Sequence, residues 1–383
     1  MQDRYLVDLY PNRGLVFVRG EGVYLETAEG HRYLDMMTNY GVNILGYGHP
    51  AVTAALMEQA QQLPTLHGSF GNNRRALASR ALVERLPIAP GYLYWANSGA
   101  EAVEAALKFA VMATGKRQFI ACTGSYHGKT LGALSATHAP KYRAPFEPLL
   151  WRFTHVKYGD IEALCAAINE DTAAFIVEPV QGESGVVAPP AGYLRQVSDA
   201  CAARGVLLIL DEIQTGCGRT GAFTAAEHEG VRPEIMCLGK GLAGGIPIGV
   251  TAVCERVAAT VTRGSHTSTF GGNPLAAAGV GAVLASLDDA MLTRIAALGE
   301  FFRAQLREIR HELIADVRGR GLMVGLALKG RRDDVLKRLQ RERILAIPAG
   351  ADVVRFLPAY VIERDELARV AEACGRALTT LDL

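Results

Sequence analysis

Between about residues 95 and 255, short apolar runs alternate with longer amphipathic or alanine-rich stretches. The runs at 119–122, 174–177, 206–210 and 235–238 are continuously apolar, and 249–253 forms a fifth. Unbroken apolarity is what a strand buried on both faces requires, so these segments predict strands of a parallel sheet. The segments 101–114, 161–169 and 192–204 between them have the length and period of helices. This alternation predicts an α/β domain with a mostly parallel sheet.

The C-terminal part reads differently. Residues 291–315 predict one long amphipathic helix and 322–328 a strand, followed by further helix, strand and helix signals. The Asn273-Pro274 break and the helix after it lead into this smaller unit. Near the N-terminus, 15–18 and 22–26 predict strands with glycine-bearing turns that pack with the tail. The expected division is an N-terminal segment 1–45 packing with the small domain, a large domain 46–276 and a C-terminal small domain 277–383. The chain has no internal repeat and no low-complexity linker.

Composition narrows the function. Of 383 residues, 49% are apolar and 21% charged, and Lys+Arg of 40 against Asp+Glu of 39 leaves a formal charge of +1. With no basic excess, neither nucleic acid nor an anionic membrane is an expected partner; small diffusible molecules are. The first residues carry no basic-then-apolar leader pattern, and no apolar run approaches the roughly 20 residues of a membrane helix. The seven cysteines are scattered without a CxxC pair. They predict no metal site and no disulfide framework, and fit small buried side chains in a cytoplasmic protein.

Two phosphate-loop look-alikes fail on spacing. GSYHGKT (124–130) is one residue short of a P-loop, and GRGLMVG (319–325) precedes its apolar run instead of following it. The residues at the strand ends are more informative, because ligands of doubly wound sheets sit beyond the carboxyl ends of strands. One run ends in Asp211 and another in Gly239-Lys240-Gly241. The pair is either a solvated ion pair or a catalytic acid and amine. Glycines flanking Lys240 let backbone or ligand approach closely, and a lysine amine becomes nucleophilic in a dry pocket. Ser98 opens an alanine-rich helix, either as a plain N-cap or as part of a phosphate seat. Phosphate seat, strand-end acid and strand-end lysine together match the needs of pyridoxal 5'-phosphate (PLP), which requires an anchor, a partner for its ring nitrogen and an imine-forming amine.

At this point the sequence resembles a family. The runs NSGAEAVEAALK (97–108), SYHGKTLGALSAT (125–137), VEPVQGESGV (177–186), DEIQTGCGRTG (211–221), GKGLAGGIPIG (239–249) and TSTFGGNPLAAA (267–278) resemble, in this order, class III (ω-amino-acid) aminotransferases of PLP fold type I. The likeness continues to VRFLPAYVI (354–362). It implies a large, mostly parallel α/β/α domain plus a smaller α/β domain built from the C-terminal part and the N-terminal segment. It implies that Lys240 holds PLP as a Schiff base and shuttles the proton, that Asp211 pairs with the pyridine nitrogen, and that Gln214 contacts the phenolic oxygen. Ser98, Gly99 and Ala100 are the implied phosphate binders. Tyr126 is the implied stacking aromatic, with His127 beside it. Thr269 is implied to reach the phosphate of a neighbouring subunit, which makes a homodimer with shared sites. Arg355 resembles the arginine that takes the α-carboxylate of 2-oxoglutarate or glutamate, and Glu183 the acid that covers it when the ω-amine donor is bound. Glu178 lies on the same loop as Glu183 and is a supporting residue.

Two positions depart from the acetylornithine aminotransferase pattern. Lys129 replaces the arginine expected to bind the donor's distal carboxylate, as in putrescine-type enzymes. Tyr40 stands where acetylornithine enzymes usually have a small aliphatic residue, and ornithine aminotransferases have a tyrosine there. By contrast, YRAPFEPL (142–149) and LHGSFGNN (66–73) resemble the lysine-biosynthesis branch acting on carrier-protein-linked substrates. The expected reaction moves a terminal amine from N-acetylornithine or carrier-linked lysine or ornithine to 2-oxoglutarate, in arginine or lysine biosynthesis. A small amino-group carrier protein is a candidate partner. The alternatives are ornithine, putrescine or 4-aminobutyrate as donor, another fold-type I chemistry (racemase, decarboxylase or aminomutase), a catalytically idle PLP-binding homologue, and a purely structural α/β domain.

Overall fold

The structure is a computed structural model that describes residues 2–382. Its centre is a seven-stranded sheet in the order Gly91–Ala96, Gly249–Cys254, Ile235–Gly239, Leu207–Asp211, Thr172–Val177, Gln118–Cys122, Arg152–Val156. The three strands Thr172–Val177, Leu207–Asp211 and Ile235–Gly239 are buried along their whole length, which explains their unbroken apolar runs. Helices cover the sheet. Gly99–Thr114 starts where Ser98 Oγ accepts the Glu101 N–H at 3.2 Å and stops at Gly115, whose φ of 71° admits glycine without strain. Its apolar face, Ala102 to Ala110, packs over the neighbouring strands.

One strand corrects the expectation. Gly249–Cys254 runs antiparallel to both neighbours instead of parallel. The connection from Gly239 spans only residues 240–248, short of the dozen or so residues a parallel crossover needs, so the chain folds straight back. The other strands run parallel, so the ends at Ala96, Cys122, Val177, Asp211 and Gly239 share one edge. Arg152–Val156 had no clear sequence signal, because this outer strand is only partly buried.

The C-terminal part forms a second sheet in the order Ile314–Arg320, Met323–Leu328, Val353–Phe356, Ile347–Ala349, antiparallel throughout. Here the single long helix expected over 291–315 is wrong at its end. The helix is Asp289–Glu308, and Ile314 already begins a strand. The side-chain period of 309–315 continues that of a helix, but pairing with Met323–Leu328 across the Gly321 turn (φ 53°) prevails. The N-terminal strands lie at Phe17–Glu21 and Tyr24–Thr27, shifted by about two residues from the expected positions, and Arg32–Asp35 follows. Arg32–Asp35 pairs in parallel with Ile344–Leu345, tying the first segment of the chain to the last.

Candidate active site

Five strand ends deliver polar groups to one edge of the large sheet, where they surround a cavity of about 490 Å³. Lys240 follows Gly239 at φ 45°, a left-handed conformation that a long side chain adopts only when its surroundings impose it. Among the described residues its amine has no hydrogen-bond partner. Burial lowers the pKa of the Lys240 ammonium below the ordinary lysine value; Glu183 and Asp211 oppose the shift and Arg355 adds to it. A lysine held this way supplies a neutral amine more readily than a solvated one.

Asp211 ends the adjacent strand. Its Oδ2 lies 2.7 Å from His127 Nδ1, and its Oδ1 accepts the Ile213 N–H at 3.1 Å. His127 is buried and its Nε2 has no partner. With Asp211 ionised, Nδ1 is the donor in this pair. The Asp211–Lys240 ion pair left open by the sequence is not formed among the described residues. Glu178 sits between two loops: its Oε1 accepts the Tyr126 N–H at 2.9 Å and its Oε2 the Gly182 N–H at 3.3 Å. Burial raises its carboxyl pKa from 4.5 to about 7, helped by Asp211. The Tyr126 hydroxyl is pushed up to about 12, chiefly by burial and by Glu183.

A second group adjoins the first. Arg355, on Val353–Phe356, is fully buried; its Nη2 donates to Glu183 Oε1 at 2.7 Å and its Nη1 to Gln214 Oε1 at 3.1 Å. Its Nε has no partner. Burial acts to raise the Glu183 pKa, but Arg355, Lys240 and Lys129 outweigh it and hold the carboxyl below its usual value. The Tyr40 ring centroid lies 5.7 Å from the Arg355 Cζ.

Gly99, Ala100, Tyr126, His127, Lys129, Asp211, Gln214 and Lys240, all predicted from sequence, line the cavity together. Ser98 stands directly behind it as the helix cap. Arg355 and Glu183 join it through Gln214, and Tyr40 through Arg355. Thr269 is exposed and does not line the cavity within one chain, although its neighbour Ser268 accepts from Asn97 Nδ2 at 3.1 Å. Lys129 is exposed at the mouth, with its Nζ 4.7 Å from the Tyr142 ring centroid. Sequence reasoning missed the His127–Asp211 contact, the clamp at Glu178 and the Arg355–Gln214 bond. Each joins segments distant along the chain, and only the position of each residue at a strand end hinted at it.

The residues present fit PLP. An unpartnered amine, a strand-end carboxylate and a helix N-terminus face one cavity, and the approach is kept bare of side chains. A Cβ at Gly99 would come within 2.9 Å of Ile213, and one at Gly128 within 2.8 Å of Ala100. Comparison with known proteins decides the family: the model described as aminotransferase class-III matches residues 9–378. The chain belongs to the class III aminotransferases. It is therefore a PLP-dependent transferase of fold type I. Acetylornithine aminotransferase of Methanopyrus kandleri is 43% identical over 98% of this chain and 97% of its own length. A provisionally named LysW-aminoadipate semialdehyde/glutamate semialdehyde transaminase of Pyrococcus furiosus is 40% identical over 96% of both chains. Ornithine aminotransferase of Toxoplasma gondii, in a structure described as having partial occupancy of PLP at the active site, is 34% identical with a TM-score of 0.94. That match covers 99% of this chain and 93% of the other. Among the described residues of this aminotransferase, no single helix is long and apolar enough to cross a membrane.

Proposed function

We propose that this chain is an ω-aminotransferase of the arginine/lysine biosynthetic type. It takes the terminal amine of N-acetylornithine or of carrier-protein-linked lysine or ornithine and passes it to 2-oxoglutarate, leaving a semialdehyde and glutamate. The observation that carries this reading is the Arg355–Glu183 pair at 2.7 Å beside the Lys240 cavity. A buried guanidinium covered by a loop carboxylate gives one pocket two charge states. Covered, the pocket accepts an amine donor with no carboxylate at that end. When Glu183 moves aside, Arg355 receives the α-carboxylate of 2-oxoglutarate, and the unpartnered Nε is a further donor for it. A racemase or decarboxylase, with one substrate, needs no such switch.

PLP supplies an electron sink when bound. The chain's own residues do the rest in this reading. Lys240 anchors the cofactor and moves the proton, and Asp211, braced by His127, carries the negative charge for the ring nitrogen. Ser98, Gly99 and Ala100 bind the phosphate, Tyr126 stacks on the ring, and Gln214 contacts its phenolic oxygen. Lys129 and Tyr40 face the substrate. Thr269, exposed here, reaches the phosphate in a second copy, so the enzyme works as a homodimer. The division into 1–45, 46–276 and 277–383 and a cytoplasmic location belong to the same reading. The names of the relatives from Methanopyrus and Pyrococcus support the blocked-amine donors. Ornithine is the second reading, favoured by Tyr40 beside Arg355.

The test follows the absorbance of the bound cofactor during the donor half-reaction with N-acetylornithine, carrier-linked lysine, ornithine, putrescine and 4-aminobutyrate. Fast conversion by a blocked-amine donor is expected. Ready turnover of putrescine with none of N-acetylornithine or carrier-linked lysine overturns the assignment.

A further inference from the structure

Thr38, Asn39 and Tyr40 have φ of 45°, 53° and 59°, and Gly41 follows at 88°. This is a left-handed turn made largely of residues with side chains. Each such residue is sterically disfavoured there relative to the right-handed region, and threonine, β-branched, is among the least suited to it. Strain of this kind persists only where its surroundings over-determine it.

The surroundings here converge on Asp35, which is completely buried. Its Oδ1 accepts the N–H groups of Met37 at 2.8 Å and Thr38 at 3.1 Å, and its Oδ2 accepts the Tyr47 hydroxyl at 2.7 Å. The turn is also stapled to the chain just beyond Arg355. The Leu357 N–H donates to the Met36 carbonyl at 2.7 Å, and Thr38 Oγ1 donates to the Leu357 carbonyl at 2.7 Å. The outcome is the placement of Tyr40 against the Arg355 guanidinium. Tyr40 is 45% exposed, so packing alone does not fix it. Its backbone does.

We propose that Asp35 is a positioning residue: by holding the left-handed turn it fixes Tyr40 against Arg355 and so sets how tightly the enzyme takes its carboxylate substrate. This rests on the reading of Arg355 given above. Glu183 and Gln214 hold the guanidinium by hydrogen bonds, while Tyr40 offers it an aromatic ring. A ring held at that distance restrains the arginine and shields its charge from water when Glu183 moves aside.

The test uses the holoenzyme and five variants: Asp35→Ala, Asp35→Asn, Tyr40→Ala, the Asp35→Ala/Tyr40→Ala double variant and Arg355→Leu. KM for 2-oxoglutarate and kcat are measured for each. Asp35→Ala and Tyr40→Ala should each raise KM about tenfold, the size of a partly desolvated cation–π contact, and several times more than they lower kcat. The double variant should also be about tenfold, because both changes remove the same contact. Asp35→Asn keeps an acceptor for the Met37 and Thr38 N–H groups and should return most of the affinity. An additive, roughly hundredfold effect in the double variant overturns the proposal, as does an Asp35→Ala enzyme that loses thermal stability with KM unmoved. If Asp35→Ala does not fold, Asp35→Ser, a smaller change at the same residue, is read in the same way. Arg355→Leu separates the two layers. If it leaves KM for 2-oxoglutarate unchanged, both readings fall. If it raises KM while Asp35→Ala does not, only the role of Asp35 falls.

Discussion

The proposed cofactor half and the proposed substrate half of this site are built on different plans. Asp211 and Lys240 extend directly from two neighbouring strands of one sheet, and Ser98 from a third strand running the same way. Arg355, Glu183 and Tyr40 come from the second sheet, a loop and a strained turn, and meet at the Arg355 guanidinium. A sheet edge fixes positions to within the tolerance of its backbone ladder. In the second group Arg355 is held by its strand and Tyr40 by its turn, and Glu183, on its loop, is the member placed to move aside. The first plan suits chemistry common to all PLP transamination, and the second suits a pocket that alternates between two substrates.

The largest test of this contrast is Lys240→Ala. It should lower transamination by at least about a thousandfold, as loss of a covalent catalyst does, while the cofactor still binds. Borohydride should then no longer fix cofactor to the protein, as peptide mapping would reveal. A trapped adduct on another lysine would remove the cofactor half from its sheet edge. Next in size, Arg355→Leu should raise KM for 2-oxoglutarate about 10- to 100-fold, the range of a lost charge-assisted pair of hydrogen bonds. The donor half-reaction should change far less. Equal losses in both half-reactions would mean that Arg355 holds the site together and does not discriminate between substrates.

The contrast also explains what was legible in the sequence. Strands such as Leu207–Asp211 are buried on both faces, so their apolarity is continuous and their ends can be read from the chain. The strand-end placement of Lys240 and Asp211 was therefore visible from pattern alone, while their roles were suggested by the family likeness. The Glu183–Arg355 pair joins residues 172 apart in sequence, and no local signal announces it. Only the likeness of their flanking motifs to a family brought them together. The left-handed turn at 38–41 was invisible for a related reason. Thr38 and Tyr40 have no intrinsic preference for positive φ, and the buried Asp35 that imposes it acts through the folded chain. The reversed strand Gly249–Cys254 was legible in principle, since its connection is too short for a crossover.

Glu178 is the seam between the halves, bonded to Tyr126 on one side and to Gly182, beside Glu183, on the other. Burial lifts its carboxyl from 4.5 to about 7. Between those values the folded chain retains a proton that the unfolded chain has released, so stability falls as pH rises through this window. Glu212, lifted likewise to about 7 by burial, contributes the same trend from outside the cavity. Glu178→Gln should therefore make the melting temperature fall less steeply between pH 4.5 and 7, leaving the share of Glu212 and the opposing share of His155, whose pKa burial lowers to about 4. Calorimetry across that range checks it. An unchanged slope would show that the seam is not held by a protonated acid.

The smallest effect belongs to Lys129, and it sharpens the contrast most finely. Unlike Arg355, this lysine is exposed, and its nearest partner of note is the Tyr142 ring. An exposed point charge contributes at most about 1 kcal/mol to holding a carboxylate. Lys129→Ala should thus raise KM about three- to fivefold for donors bearing a distal carboxylate, and leave KM for putrescine unchanged or lower. Because the charge is solvated, high salt should erase the difference between variant and parent. The Arg355→Leu effect should survive the same salt, since that guanidinium is buried. Steady-state kinetics at low and high ionic strength separate the two. If both effects vanish with salt, the substrate half is an electrostatic funnel, and the rearranging pocket described above is the wrong picture of it.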